Sequence, residues 1–213
     1  MQSSERKKSL EFATLRYMEA MDAATLAWLE KRGIDADTAT SNALGLVKQP
    51  IQGHGPAMNR LAIPYLTDDG PIAMNFRCLE DHVCKEIGGG HSKYWKERGQ
   101  QSRLYGVQSY FTPQQDIHVC EGELDTIILK DVVGLPAIGV PGATTWQTHW
   151  RLIFSDFDRV FIWSDGDQAG NNMVNKWQKE LGTRAIHVRL PEKKDVNALY
   201  LERGAEGLRR MVQ

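Results

Sequence analysis

The chain has 213 residues, 41% hydrophobic and 25% charged, with a net charge of −1: an ordinary globular composition, long enough to bury a core. No apolar run reaches the roughly 18–20 residues of a membrane span, and the charged start MQSSERKKSLEF has no apolar stretch behind it, so neither membrane attachment nor a secretory signal is expected. Three cysteines, at 78, 84 and 120, are too irregular for a disulfide framework and fit a reduced, cytoplasmic protein.

The first 47 residues read as helical. Leu15, Met18, Met21, Leu26 and Leu29 recur at helical spacing up to Gly33, a C-cap signal, and Asp35 offers the N-cap of a short helix over 35–43. Between 47 and 116 the pattern changes to short alternating runs at 60–66 and 71–79, with the hairpin signal Asp68, Asp69, Gly70 between them. The glycine- and charge-rich stretch 80–103 reads as surface. From Ile117 onward strand and helix alternate: strands IHVC, PAIGV, RVFIWS and AIHVRL, separated by helices at about 123–133, 146–155 and 168–181. Such alternation specifies βαβ units and a parallel sheet covered on both faces. The expected fold class is therefore α/β, a parallel sheet with flanking helices over 113–213, preceded by a smaller mixed α+β subdomain over 1–112.

Near-neutrality conceals two opposed patches. Residues 91–103 carry Lys93, Lys96, Arg98 and Arg103 against Glu97 alone, whereas acidic groups gather just past the predicted strand ends. IHVC runs into Glu121, Gly122, Glu123, Leu124 and Asp125. RVFIWS runs into Asp165, Gly166, Asp167, Gln168, Ala169 and Gly170, and AIHVRL leads to Asp195, Val196 and Asn197. Open α/β sheets bind ligands at these ends. Singly, each acidic group reads as a turn, a cap or a solvated loop. Three together at successive strand ends favour a divalent metal site, because clustered carboxylates repel unless a cation is present. Oxygen donors select Mg²⁺ or Mn²⁺ over Zn²⁺, and paired ions of this kind serve phosphoryl and nucleotidyl transfer. Gly122 and Gly166 permit sharp turns beside these ligands, and Gly170 lets the following helix pack closely.

The ordered motifs at 121–125, at 139–144 (with Gly142), at 165–170 and at 195–197 resemble the toprim domain, a Rossmann-like fold shared by DnaG-type primases, phage primase-helicases, topoisomerases and some nucleases. The resemblance spans about residues 116–205. It implies that Glu121, Asp165, Asp167 and Asp195 hold two or more Mg²⁺ or Mn²⁺ ions, with Glu121, Asp165 and Asp167 catalytic and Gly122, Asp125, Gly142, Gly170 and Asn197 supporting the loops. Asn197 stands where bacterial primases often have a second aspartate.

Upstream, the runs at 60–70 and 75–77, the triplet Ser92, Lys93, Tyr94, and Leu104, Tyr105, Gly106 resemble the segment before toprim in DnaG-type primases. That likeness implies nucleotide or template contacts by Arg60, Arg77, Lys93, Lys96 and Arg103; Lys96 replaces an asparagine frequent in the family. Lysine and arginine beside Tyr94, Trp95 and Tyr105 could also neutralise phosphates and stack bases, the alternative being a charged loop with its aromatics turned inward.

The expected activity is a DNA-directed RNA polymerase making short primers on single-stranded DNA from ribonucleoside triphosphates. A separate zinc-binding module and a replicative helicase would act as partners, as in a split phage system. A toprim nuclease and a non-catalytic replisome adaptor are the rival readings. A topoisomerase is disfavoured by length. Gly88, Gly89, Gly90, His91, Ser92 and Lys93 lack the order of a phosphate loop. Cys78, His82, Cys84 and His91 lack a Cys-x-x-Cys pair, so ordinary free cysteines are expected there rather than zinc ligands.

Overall fold

The computed structural model describes residues 4–80, 82–87, 91–113, 115–142, 145–164 and 168–213. They divide into two compact units. One comprises Asp35–Gln101 with the N-terminal residues up to Lys31; the other comprises Arg32–Ile34 with Ser102–Gln213.

In the first unit α1 (Ser4–Glu19) buries Leu10, Ala13 and Tyr17. The single long helix expected from the apolar spacing is interrupted at Asp22. Its carboxylate accepts from the Thr25 amide at 2.9 Å and starts a second helix, α2 (Ala23–Glu30). Asp35 caps α3 (Ala36–Ser41) in the same way, accepting from the Thr38 amide at 2.7 Å. An N-cap of this type stabilises a helix by about 1 kcal/mol, enough to set where a new helix begins.

The sheet is antiparallel, in the order β1 (Gly45–Leu46), β2 (Leu61–Thr67), β3 (Gly70–Arg77), β4 (Tyr94–Lys96). The hairpin signal is realised: Thr67 pairs with Gly70, whose φ of 99° supplies the left-handed residue of the turn. Ala62, Met74 and Phe76 face α1 and form the core with Leu10, Ala13 and Tyr17. Strand β4, inside a stretch expected to be surface, is recruited by its register with β3: Trp95 lies opposite Phe76 and packs on that core.

The second unit alternates strand and helix. β5 (Asp116–Glu121) leads into α4 (Glu123–Ile127), which continues as a π-helical segment, Ile128–Val133. β6 (Ala137–Val140) is followed by a 3₁₀ turn, Thr148–Trp150, that runs into α5 (Arg151–Phe154). β7 (Arg159–Ser164), α6 (Gln168–Leu181), β8 (Ala185–Arg189) and α7 (Val196–Arg209) complete it. α7 was not expected; its backbone leaves helical geometry at Gly204, φ 66° and ψ −179°.

The sheet is parallel, in the order β6-β5-β7-β8. Ile117, Val119, Val160 and Ile162 pack on one face with Trp146, Phe154 and Trp177. Each fully buried side chain of this size stabilises the fold by about 1.5–3 kcal/mol. The alternate residues His118, Cys120, Phe161 and Trp163 point to the other face, and all four are buried. There Trp163 Nε1 donates to His118 Nδ1 at 2.9 Å, and the His118 ring stacks on Phe161 at 4.9 Å. Burial holds this imidazole neutral, its pKa pushed down to about 4. Among the described residues, no helix is long and apolar enough to cross a membrane.

Candidate functional site

From β5 the chain moves through α4 to β6 on one side, and from β7 through α6 to β8 on the other. β5 and β7 are neighbours, with Cys120 level with Trp163. Their carboxyl ends therefore flank a topological switch point, the place where an open parallel sheet leaves a crevice for a ligand. Glu121 ends β5 there, half-buried, and β7 ends at Ser164. Asp165, Gly166 and Asp167 follow Ser164 in the chain and lie outside the described residues, as does Thr144 of the motif at 139–144.

The turn after Glu121 is built tightly. Gly122 adopts φ 92° and ψ 158°, a region open in practice only to glycine. Its amide donates to the Val140 carbonyl at 3.2 Å, and its own carbonyl accepts from Thr126 Oγ1 at 2.7 Å. Thr126 fits because residue 139 in β6 has no side chain: a Cβ there would lie 2.2 Å from Thr126 Oγ1 and 3.1 Å from the Gly122 oxygen. The backbone of Tyr105 then pairs with both polar groups of Gly139 at 2.9 Å, which blunts the β6 edge. Neither Thr126 nor Gly139 was singled out in advance for this lock; a glycine in mid-strand was the available signal.

Asp125 accepts from the Asn197 amide at 3.0 Å, tying the start of α4 to the start of α7. The Asn197 side chain donates to the Arg32 carbonyl. Asp195 caps α7, one oxygen accepting from the Ala198 amide at 2.7 Å. Because a carboxylate offers about four lone-pair sites, capping leaves it able to ligate. Gly142 takes φ 98°, and its carbonyl accepts from the Thr145 amide and hydroxyl at 3.0 and 2.8 Å. Gly170 is buried in the first turn of α6. Glu123, which follows the glycine turn, is buried at 2% exposure, unusual for a carboxylate.

In the first unit, the register places Asn75, Arg77, Tyr94 and Lys96 on one face of the sheet, opposite the α1 core. The Arg77 guanidinium lies over both Trp28 (5.4 Å) and Tyr94 (5.3 Å) and donates to the Tyr94 hydroxyl at 2.5 Å. Its Nε is buried with no hydrogen-bond partner among the described residues. Lys93 and Lys96 are exposed. Arg60 is only 8% exposed, and its Nη1 donates to the Ser92 carbonyl at 2.8 Å. Arg103 belongs to the second unit and is half-buried. Of the three aromatics considered for base stacking, Tyr105 is buried at 4% exposure and Trp95 packs on Phe76. For those two the inward-turned alternative is correct: Tyr105 is buried where its backbone pairs with Gly139, and Trp95 packs on the core of the first unit.

The cysteines are free, as expected, but one grouping was not foreseen. Cys78, His82, Cys84 and His91 are not scattered: each offers a ligand atom, and all four atoms lie within 4.8 Å of one another. Irregular spacing hid this, because the turn between β3 and β4 gathers the residues irrespective of their separation in sequence. Burial pushes the Cys78 thiol above its usual range and the neighbouring Cys84 adds to the rise, while the Glu80 amide and Arg60 oppose it.

Glycine elbow, strand-end carboxylate and switch point define a class: a Rossmann-like α/β fold with an acidic strand-end site. A family model described as Toprim-like matches residues 118–200. The gene 57 protein of Mycobacterium phage D29 is 33% identical over 153 residues, covering 70% of this chain and 94% of that protein. A DNA primase of Chlamydia trachomatis is 22% identical over 238 residues, covering 98% of this chain but 40% of that protein. A solved RNA polymerase domain of Mycobacterium tuberculosis primase DnaG, in complex with a double-stranded DNA oligomer with a 6-nucleotide overhang, superposes with TM-score 0.78. The identity is 20%, over 100% of this chain and 81% of that one. The chain belongs to the family of DnaG-type and phage primase catalytic cores with a toprim domain.

Proposed function

We propose that the chain is the catalytic core of a DNA primase, a nucleotidyltransferase that joins ribonucleoside triphosphates into short RNA primers on single-stranded DNA. The observation that carries this reading is Glu121 held by the Gly122 elbow at the β5–β7 switch point of a toprim-like sheet. The polar face of Arg77, Tyr94 and Lys96 in the first unit supports primer synthesis over simple phosphodiester cleavage.

Glu121, Asp165, Asp167 and Asp195 form an all-oxygen donor set that fits Mg²⁺ or Mn²⁺. When bound, such ions neutralise triphosphate charge and acidify an attacking hydroxyl. The chain's own groups do the positioning. Gly122 and the Thr126 hydroxyl fix where Glu121 points, and Asp125 holds the loop that carries Asp195. Arg77, Lys93, Lys96 and Arg103 would neutralise template and nucleotide phosphates. Arg60 would act through the Ser92 carbonyl, holding the loop next to Lys93. Strand separation and template selection would come from a helicase and a separate zinc-binding module, and host cytoplasm would be the site of action.

The deciding experiment incubates the chain with single-stranded DNA, labelled ribonucleotides and Mg²⁺ or Mn²⁺. Metal-dependent oligoribonucleotides, lost in Asp165→Ala, are expected. DNA degradation without synthesis would transfer the assignment to a nuclease; binding without turnover would transfer it to an adaptor.

A further inference from the structure

The Cys/His cluster between β3 and β4 has no part in the chemistry above. The Cys78 amide donates to the Lys93 carbonyl at 2.8 Å, extending the β3–β4 pairing and closing the base of a loop. Inside that loop His82 Nε2 stands 3.7 Å from Cys78 Sγ, 3.4 Å from Cys84 Sγ and 3.0 Å from His91 Nε2. An imidazole nitrogen has a single in-plane site, for one proton or one lone pair. Hydrogen bonding can therefore satisfy one of these neighbours, not three. A shared cation satisfies all of them at once. With bonds of about 2.3 Å to sulfur and about 2.0–2.1 Å to nitrogen, the edges of a zinc tetrahedron measure about 3.3–3.8 Å. The three separations from His82 Nε2 scatter around that range, and all four ligand atoms lie within 4.8 Å of one another, close enough to contract onto one ion.

The surroundings agree. Glu80 Oε2 lies 3.0 Å from His82 Nδ1. A carboxylate there accepts a hydrogen bond from Nδ1–H, which leaves the Nε2 lone pair directed at the cluster, the usual support for a metal-bound histidine. Arg60 Nη2 is 3.5 Å from His91 Nδ1, at the outer limit of a hydrogen bond. Ligation through Nε2 puts the proton on Nδ1, opposite an Arg60 donor, so this long contact has to open on metal binding, while Arg60 keeps the Ser92 carbonyl as its acceptor. Two thiolates and two neutral imidazoles balance the charge of one Zn²⁺. Four protein ligands leave no open coordination position, which is the pattern of a structural site, not a catalytic one.

We propose that Cys78, His82, Cys84 and His91 bind one zinc ion that pins the β3–β4 loop, next to Arg77 and Tyr94. This site is independent of the carboxylates at the strand ends.

The test uses the full chain, produced with zinc in the medium and dialysed against chelator, then assayed for metal by mass spectrometry with Mg²⁺ in excess. About one zinc per chain is expected to remain. Replacing it with Co²⁺ should give a thiolate-to-cobalt charge-transfer band and the intense visible absorption of tetrahedral cobalt, a readout that needs no variant. Cys84→Ser and His91→Ala should lose zinc retention, while Glu121→Gln should keep it. An unmodified chain that retains no zinc and shows no charge-transfer band would overturn the site. So would undiminished retention in both ligand variants, or a Cys78–Cys84 disulfide in the freshly isolated chain.

Discussion

Both units carry a four-stranded sheet, yet the two sheets present their side chains in opposite ways. The parallel sheet of the second unit is covered on both faces: Ile117, Val119 and Ile162 on one side, His118, Phe161 and Trp163 on the other. That leaves the strand ends, where Glu121 stands, as the place for a ligand. The antiparallel sheet of the first unit buries Ala62, Met74 and Phe76 against α1 and leaves Asn75, Arg77, Tyr94 and Lys96 on its other face. A sheet with one polar face offers an extended surface and no convergent acid cluster. The difference separates chemistry from contact, and substitutions can probe the two independently.

The largest effect is expected at the strand ends. Glu121→Gln and Asp165→Ala should each lower primer synthesis by roughly 10³-fold, the equivalent of about 4 kcal/mol of lost transition-state stabilisation, with an unchanged thermal melt. An unchanged rate in both would break the assignment of chemistry to the second unit.

Next is the acid sensitivity of the second unit. His118 titrates near 6.5 when unfolded and near 4 when folded, so the native state binds fewer protons than the unfolded one. Its contribution is complete above pH about 6.5 and falls away as pH drops toward 4, by up to about 3 kcal/mol. Urea midpoints between pH 7 and pH 4 should show this slope, and His118→Gln should flatten it.

Smaller again is Gly139→Ala, which overpacks the Thr126 contact at a cost of about 1–3 kcal/mol. Adding Thr126→Ala should restore part of that stability in the same urea titration; a purely additive loss would mean that the two residues do not meet. The mildest change is Arg77→Lys, which keeps the charge but loses planar stacking on Trp28 and Tyr94, worth about 0.5–1 kcal/mol per ring. Single-stranded DNA affinity should weaken modestly. Lys93→Ala should lower the slope of affinity against salt by about one contact.

The second unit was largely legible in the sequence because the central strands, buried on both faces, must be apolar nearly throughout, and IHVC and RVFIWS show it; the edge strand AIHVRL, with Ile186 exposed, was legible from its place in the strand–helix alternation. Its acidic strand ends were legible for the same reason: carboxylates next to such runs stand out. α7 was missed because its charged residues mask a narrow apolar stripe of Val196, Leu199 and Leu208. In the first unit the β2–β3 hairpin was clear, whereas the break at Asp22 was not, since the apolar spacing runs through it. β4 and the Cys/His cluster depend on partners brought near by folding. Neither the three residues Tyr94–Lys96 nor four Cys and His residues at irregular spacing carry a local period that reveals them.

The Thr126–Gly139 contact also has a historical consequence. A methyl group at 139 and a hydroxyl at 126 cannot coexist without a shift in the turn after Glu121, so in related chains a side chain at 139 should come with a smaller residue at 126. A chain that has lost its acidic residues no longer needs the turn, and there the pair should drift. Glycine at 139 would then separate working members of the family from retired ones, even where the carboxylates themselves are hard to align.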